Sequence, residues 1–314
     1  MGGTPATLIA RWPSADPRSA TNILARSITS GSKGGVSQGR RAVQIRSLRL
    51  PASETNGKEG RNMYIVRALD GTTEKVDVVV EDPSAVGNKD RKGKGKAKQE
   101  DGDEVMFMEA ETQKPSNEHT HGRWTFSSIA QPSGSSASSS AFPGPAALFD
   151  TFVQRTLFAQ PLPGSAPAPS GTPASGFWQP RAAAVTIEGF AFTIGGNTAD
   201  ATGDWEVKVG SVLIKGGTSA GTAKGCIIEV SYLPVPYLPA NSTYVKDFLL
   251  SLFPPIAVRN GEIEIIEVDE DAFQEAGLLD TPDKAKGEEE GEWEWRDKHT
   301  SLTYVTQFKK EGIL

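Results

Sequence analysis

Two pairs of glutamates are the sharpest candidates for chemistry in this chain. Glu262-Ile263-Glu264 and Glu292-Trp293-Glu294 each place carboxylates two residues apart. On a β-strand that spacing points both side chains to one face, an arrangement suited to Mg²⁺ or Mn²⁺. A solvated strand face produces the same pattern, and the second pair sits in an acidic, low-complexity tract. Other candidates are weaker. His119 and His121 share a polar segment and His299 lies far from both, too few ligands to close a structural metal site. Residues 34–41 (GGVSQGRR) brush against the phosphate-binding loop G-x-x-x-x-G-K-[ST], but Arg40 and Arg41 stand where the lysine and hydroxyl are needed. No Ser/His/Asp grouping can be picked from the many serines. The basic cluster of Lys89, Arg91, Lys92, Lys94, Lys96 and Lys98 fits a nuclear localisation signal and a solubilising linker equally well. No catalytic, cofactor-binding or metal residue is therefore assigned.

Composition narrows the class. The 314 residues are 37% hydrophobic, with 33 Gly and 21 Pro, which points to less core than the length allows. A net charge of −6 argues against a broad basic face for nucleic acid. Cys226 is the sole cysteine, so no intrachain disulfide can form. No apolar run reaches the length of a membrane span, and no signal-peptide core is expected at the N-terminus. Met1-Gly2 suggests myristoylation, but Ala6 holds the position that needs Ser or Thr.

The elements that would position any site are mostly strands. Residues 7–12, 41–50, 63–69, 76–80, 123–129, 184–193 and 261–268 read as strands, with a hairpin around Asp70-Gly71. Asp16-Pro17 opens a helix through Thr29; further helices are expected over 146–158 and 302–309. The densest signals lie in residues 203–255. Trp205, Val207 and Val209 alternate with polar residues, and the apolar phase changes at Gly210, which predicts a bulge or barrel corner there. Cys226, Ile228, Val230 and Tyr232 share a face opposite Glu229 and Ser231. Tyr244, Phe248, Leu249 and Leu252 form a helical stripe, with Asn241, Ser242 and Thr243 as N-cap candidates and Pro254-Pro255 as a stop. The chain reads as one interrupted domain over 1–314. Within it we expect a flexible loop at 31–39, a disordered charged insertion at 83–118 that holds Val105-Met106-Phe107-Met108, linkers at 131–145 and 160–176, and an acidic tract at 280–296.

The 203–255 block resembles subunit 20 of the Mediator complex. The residues that carry the likeness are Trp205, Val207-Lys208-Val209-Gly210, Gly225, Glu229, Tyr232, Phe248, Leu249 and Leu250-Ser251-Leu252-Phe253, which in that family are framework. Weaker matches are the Met-Gly start, residues 62–66 and residues 149–152. The resemblance implies a noncatalytic nuclear coactivator subunit that binds Mediator subunits 18 and 8 in the head module and supports RNA polymerase II transcription, with no cofactor and no membrane. The expected fold is α+β, mostly antiparallel β, as a closed or nearly closed β-barrel with a few packed helices. The enzymatic alternative is a metal-dependent tunnel-type triphosphate hydrolase, which the Glu262/Glu264 pair resembles. It would also need inward Lys and Arg on neighbouring strands, and those positions read as Val, Ile and Gly.

Overall fold

The computed structural model describes residues 4–30, 33–51, 60–70, 73–83, 123–130, 178–195, 203–216, 219–239, 241–279 and 294–314. The insertion expected at 83–118, from residue 84 on, those at 131–145 and 160–176, the helix at 146–158, the basic cluster, His119, His121, Glu292 and the acidic tract expected at 280–296, up to residue 293, lie outside these residues.

Strand alternation builds most of what is described. Strands β2 (Thr7–Trp12), β3 (Val36–Leu50), β4 (Arg61–Asp70), β5 (Thr73–Glu81), β6 (Trp124–Ala130), β7 (Gln179–Ile194), β8 (Trp205–Gly216), β9 (Ser219–Tyr232) and β11 (Glu264–Ile265) form one sheet. Their order is β11-β2-β9-β8-β7-β3-β4-β5-β6, and every pairing is antiparallel. A small pair, β1 (Thr4–Pro5) with β10 (Tyr237–Leu238), lies beside it. Residues 36–39, read from sequence as loop, are the start of β3; a register shift between Ser37 and Gly39 hides the alternation there.

Both faces of the sheet are covered, and this corrects the reading of Gly210. One face packs on α1 (Pro17–Thr29) and α2 (Tyr244–Leu250), through Leu24, Ile28, Val207, Val209, Ile228 and Leu249. The other packs on α5 (Asp297–Lys310), through Val43, Ile45, Val185, Ile187, Val212 and Phe308. The apolar phase of β8 changes because its first half feeds the first layer and its second half the other. The bulge instead lies on β9, where Lys224 and Gly225 together oppose Val212 of β8, between the pairs Ser211–Cys226 and Leu213–Ala223. Gly225, at φ +73°, carries it: an added Cβ would lie 2.1 Å from the Trp12 carbonyl oxygen.

The barrel is not closed. Among the described residues β11 and β6 are edges, and β11 is two residues long where sequence suggested eight. After β11 the chain turns into α4 (Glu270–Glu275), capped by Asp269 accepting from the Ala272 N–H, and α4 packs against β6. A helix thus stands in the seam where a strand would have to pair. A short α3 (Pro255–Arg259) precedes β11. Asp16 caps α1 as expected, accepting from the Ser19 N–H at 2.9 Å. For α2, Thr243 is the N-cap residue but its hydroxyl instead donates to Asp247, at 2.6 Å. No helix among the described residues is long and apolar enough to cross a membrane.

Candidate functional site

The chemistry-bearing side chains of the described fold converge under α5. Lys208 and Glu229 are cross-strand partners on β8 and β9, facing α5 while their neighbours Val207, Val209, Ile228 and Val230 face the other layer. Glu229 is 3% exposed and receives the Arg41 guanidinium at 3.0 Å, Lys208 Nζ at 3.7 Å, the Tyr304 hydroxyl at 3.0 Å and the Thr300 hydroxyl at 3.3 Å. Burial alone would raise its pKa. Lys208 and Arg41 outweigh that, with hydrogen bonds from Tyr304 and Arg41, and hold the carboxyl at about 2. Glu229 is therefore an anion at any physiological pH.

Two further carboxylates repeat the arrangement. Asp77 accepts from Ser301 at 2.6 Å and from Ser128 at 2.5 Å. Glu81, 1% exposed, accepts from Arg123 at 2.6 Å, from Tyr64 at 3.3 Å and from Lys309. Burial raises the pKa of Glu81, but the hydrogen bonds and charges of Lys309 and Arg123 prevail and lower it. On the opposite flank Arg11, 1% exposed, binds Glu311 at 3.1 Å, donates to the Lys224 carbonyl at 2.7 Å and lies 5.2 Å from the Phe308 ring centroid.

Every one of these acids is spent on bases or hydroxyls that seat the last helix. No group of three or more His, Cys, Asp or Glu among the described residues could hold a metal. A cavity of about 260 Å³ opens beside the network, lined by Arg41, Lys75, Asp77, Lys208 and Thr300 among others. The inward positions include Arg41 and Lys208, not only the Val, Ile and Gly expected from sequence. The signal was present: charged residues within strands whose both faces are apolar.

The sequence candidates scatter. Glu262 lies in a turn, accepting from the Trp12 indole at 3.0 Å and Asn260 at 2.9 Å; the Asn260 bond, then that from Trp12, lowers its pKa. Glu264 is exposed on the two-residue β11. Glu294 pairs with Arg296 at the surface. His299 is a structural residue: its Nδ1 accepts from the Arg296 N–H at 2.8 Å, which leaves Nε2–H to donate to the Leu278 carbonyl at 3.1 Å. Cys226 is fully buried, and burial, opposed by Arg11, pushes its thiol up to about 12. Lys33 spans to the Ser251 carbonyl, away from any phosphate-binding geometry.

The framework residues do assemble. Trp205 stacks on Phe248 with centroids 3.8 Å apart and planes at 15°, and meets Tyr232 at 4.8 Å. Val207, Val209, Leu249 and Phe253 are buried in the same layer. Gly210 faces Gly189 across β7 and β8 so closely that a Cβ on Gly189 would stand 1.8 Å from the Val209 oxygen. Glu229 belongs to the other face and is the ionic centre described above.

No known protein family matches the chain, and no curated protein matches it. Among solved structures, the PH1819 protein from Pyrococcus horikoshii OT3 aligns with a TM-score of 0.29 and 8% identity, covering 78% of this chain and 86% of that one. A likeness this weak carries no argument about function.

Proposed function

We propose that the chain is a noncatalytic subunit of the Mediator coactivator complex, of the subunit 20 type. In this reading it acts in the nucleus, binds Mediator subunits 18 and 8 in the head module and supports RNA polymerase II transcription without a cofactor. The observation that carries it is the stacking of Trp205 on Phe248. It joins the first and last elements of the resembling block, so a pattern spread over some fifty residues corresponds to one packed body of β8, β9 and α2. The charged groups support the same reading, because Arg41, Lys208, Glu229, Asp77 and Glu81 are engaged in seating α5. Glu262, the leading residue of the enzymatic alternative, braces a turn against Trp12.

Affinity purification of the tagged full chain from nuclear extract, with identification of co-purifying proteins, tests the reading. Subunits 18 and 8 are expected in near-stoichiometric amounts. Their absence, or release of phosphate from tripolyphosphate with Mn²⁺ that Glu262→Ala with Glu264→Ala abolishes, overturns it.

A further inference from the structure

Asn260 and Gly261 form an Asn-Gly pair where α3 gives way to β11. Asparagine is chemically labile, and most so before glycine. The backbone nitrogen of the glycine attacks the side-chain carbonyl carbon of the asparagine, and the missing Cβ leaves that approach uncrowded. Here both residues are exposed, and a Cβ built on Gly261 would meet nothing within 4 Å. The turn itself holds the nitrogen back. Asn260 ends α3 at φ −75° and ψ −5°, and the Gly261 N–H donates to the Val258 carbonyl at 3.1 Å. Reaction therefore requires the last turn of α3 to open. This helix has five residues and no side-chain cap at its start, and short surface elements of that kind open at little cost in free energy.

What Asn260 touches gives the chemistry a consequence. Its Nδ2 donates to Glu262 Oε1 at 2.9 Å, while Glu262 Oε2 accepts from the Trp12 indole at 3.0 Å. Those two bonds draw Glu262 into the turn ahead of β11, whose Glu264 and Ile265 pair with Arg11 and Ala10 of β2. One residue further on, the Ile266 N–H donates to the Ile9 carbonyl at 2.8 Å. The amide of Asn260 is thus one of two donors that hold the Glu262 carboxylate beside the sheet edge.

We propose that Asn260 is a site of spontaneous deamidation that releases this brace. The Gly261 nitrogen loses its proton and bonds to Asn260 Cγ. The Cγ–Nδ2 bond breaks, the amide nitrogen leaves as ammonia, and a succinimide ring remains. Water then cleaves the new N–Cγ bond to give aspartate, or the original main-chain N–C bond to give isoaspartate. In total one water is consumed and one ammonia released, with no oxidant or cofactor. Either product puts a carboxylate where an amide donated, so repulsion from Glu262 replaces a hydrogen bond. Isoaspartate also adds a carbon to the main chain just before β11. The inference stands apart from the assignment to Mediator.

Ageing the full chain at mildly alkaline pH, with peptide mapping by mass spectrometry, tests it against a synthetic peptide of residues 254–268. Asn260 is expected to convert about tenfold more slowly in the chain than in the peptide, because the turn must open first. Glu262→Ala frees the amide and is expected to speed conversion about threefold, whereas Glu262→Gln keeps an acceptor there and leaves the rate unchanged. Hydrogen exchange reads the consequence without relying on either variant. Asn260→Asp is expected to speed exchange of the Ile266 N–H about tenfold, and Asn260→Ala, which removes the donor without adding a charge, no more than about threefold. The proposal fails if Asn260 stays intact in the chain while the peptide is fully converted. It fails equally if Glu262→Ala and Glu262→Gln convert at one rate, since Glu262 then does not anchor the amide. Exchange at Ile266 that is the same in Asn260→Asp and wild type would overturn it as well, because the edge is then indifferent to the product.

Discussion

Arg41 on β3 and Glu229 on β9 meet at 3.0 Å although β7 and β8 lie between their strands. In a flat sheet three strand spacings separate such residues by about 14 Å, and side chains standing off the sheet would not touch. The sheet is therefore coiled. The same coiling lets Lys309 and Glu311, two residues apart, reach Glu81 on β5 and Arg11 on β2, strands near opposite ends of the sheet order. Helix α5 is the axis around which the open sheet wraps, and the ion pairs fix it there.

Removing the central anion tests that account. Glu229→Gln leaves Arg41 and Lys208 buried without their common counter-charge, and breaking a buried pair in this way costs about 3–5 kcal/mol. Lys215→Met removes an exposed pair to Glu188, with side chains 55% and 54% accessible, and should change stability by no more than about 0.5 kcal/mol. Urea denaturation of both variants measures the contrast. Equal midpoints would show that α5 is held by its apolar contacts alone.

Stability should fall with acid in two phases. His299 is held neutral because burial lowers its pKa below 6.5; the unfolded chain binds the proton first, so this contribution is full above pH 6.5 and fades below it. Glu229 is depressed from 4.5 to about 2, so its contribution is full above pH 4.5 and lost as pH falls toward 2. That span corresponds to about 3 kcal/mol. Glu81, also lowered, adds in the same direction. His299→Asn, which can still accept from the Arg296 N–H, should lose the upper phase only, and Glu229→Gln should blunt the lower one. A denaturation midpoint that is flat from pH 7 to pH 3 would rule out both assignments.

Some of this was legible in sequence and some could not be. Strands β2, β4 and β8 announce themselves as runs dense in apolar residues such as Ile9, Val66 and Val207, and helix α1 by the stripe of Ala20, Leu24 and Ile28 that it buries. Helix α5 gives no such stripe. Its buried residues include Thr300, Ser301 and Thr303, polar because they bond to Glu229 and Asp77 or back into the helix. Only its tail, from residue 302, looked helical. The network is invisible to local spacing, since Arg41 and Tyr304 are 263 positions apart. That the sheet stays open is not legible for a related reason. It depends on whether the last strand outlasts its partner, and Gly261 and Glu262 are drawn into a turn by Asn260 and Trp12, leaving only Glu264 and Ile265 to pair.

Gly225→Ala should be severe for a single methyl group. The residue sits at φ +73°, and the new carbon would meet the Trp12 carbonyl oxygen at 2.1 Å and Pro13 Cα at 2.7 Å. Both neighbours are backbone and cannot rotate away, so β2 must move off β9. A cost of about 2–4 kcal/mol is expected from conformation and clash together. Gly277→Ala, at φ +65° but with nothing within 4 Å, carries the conformational part alone and should cost about 1 kcal/mol. Thermal melts that place the two variants together would show that β9 does not approach β2 so closely.

Leu249→Ala probes the layer that the Mediator resemblance depends on. Leu249 is fully buried, in a cluster with Val207, Val209, Val230 and Val245. Truncating a buried leucine costs about 2–5 kcal/mol through lost transfer energy and the cavity left behind, a large share of a domain's stability of about 5–15 kcal/mol. The isolated variant should therefore unfold at a much lower midpoint than wild type. A partner that binds only the folded chain adds stability by mass action, so co-expression with Mediator subunit 18 should restore part of the loss and return soluble protein. Val36→Ala serves as the reference, because Val36 is 62% exposed and should change nothing measurable. An unchanged midpoint for Leu249→Ala would mean that α2 is not packed on the sheet. A wild-type chain that neither co-elutes with subunit 18 nor gains stability from it would sink the assignment to Mediator while leaving the fold intact.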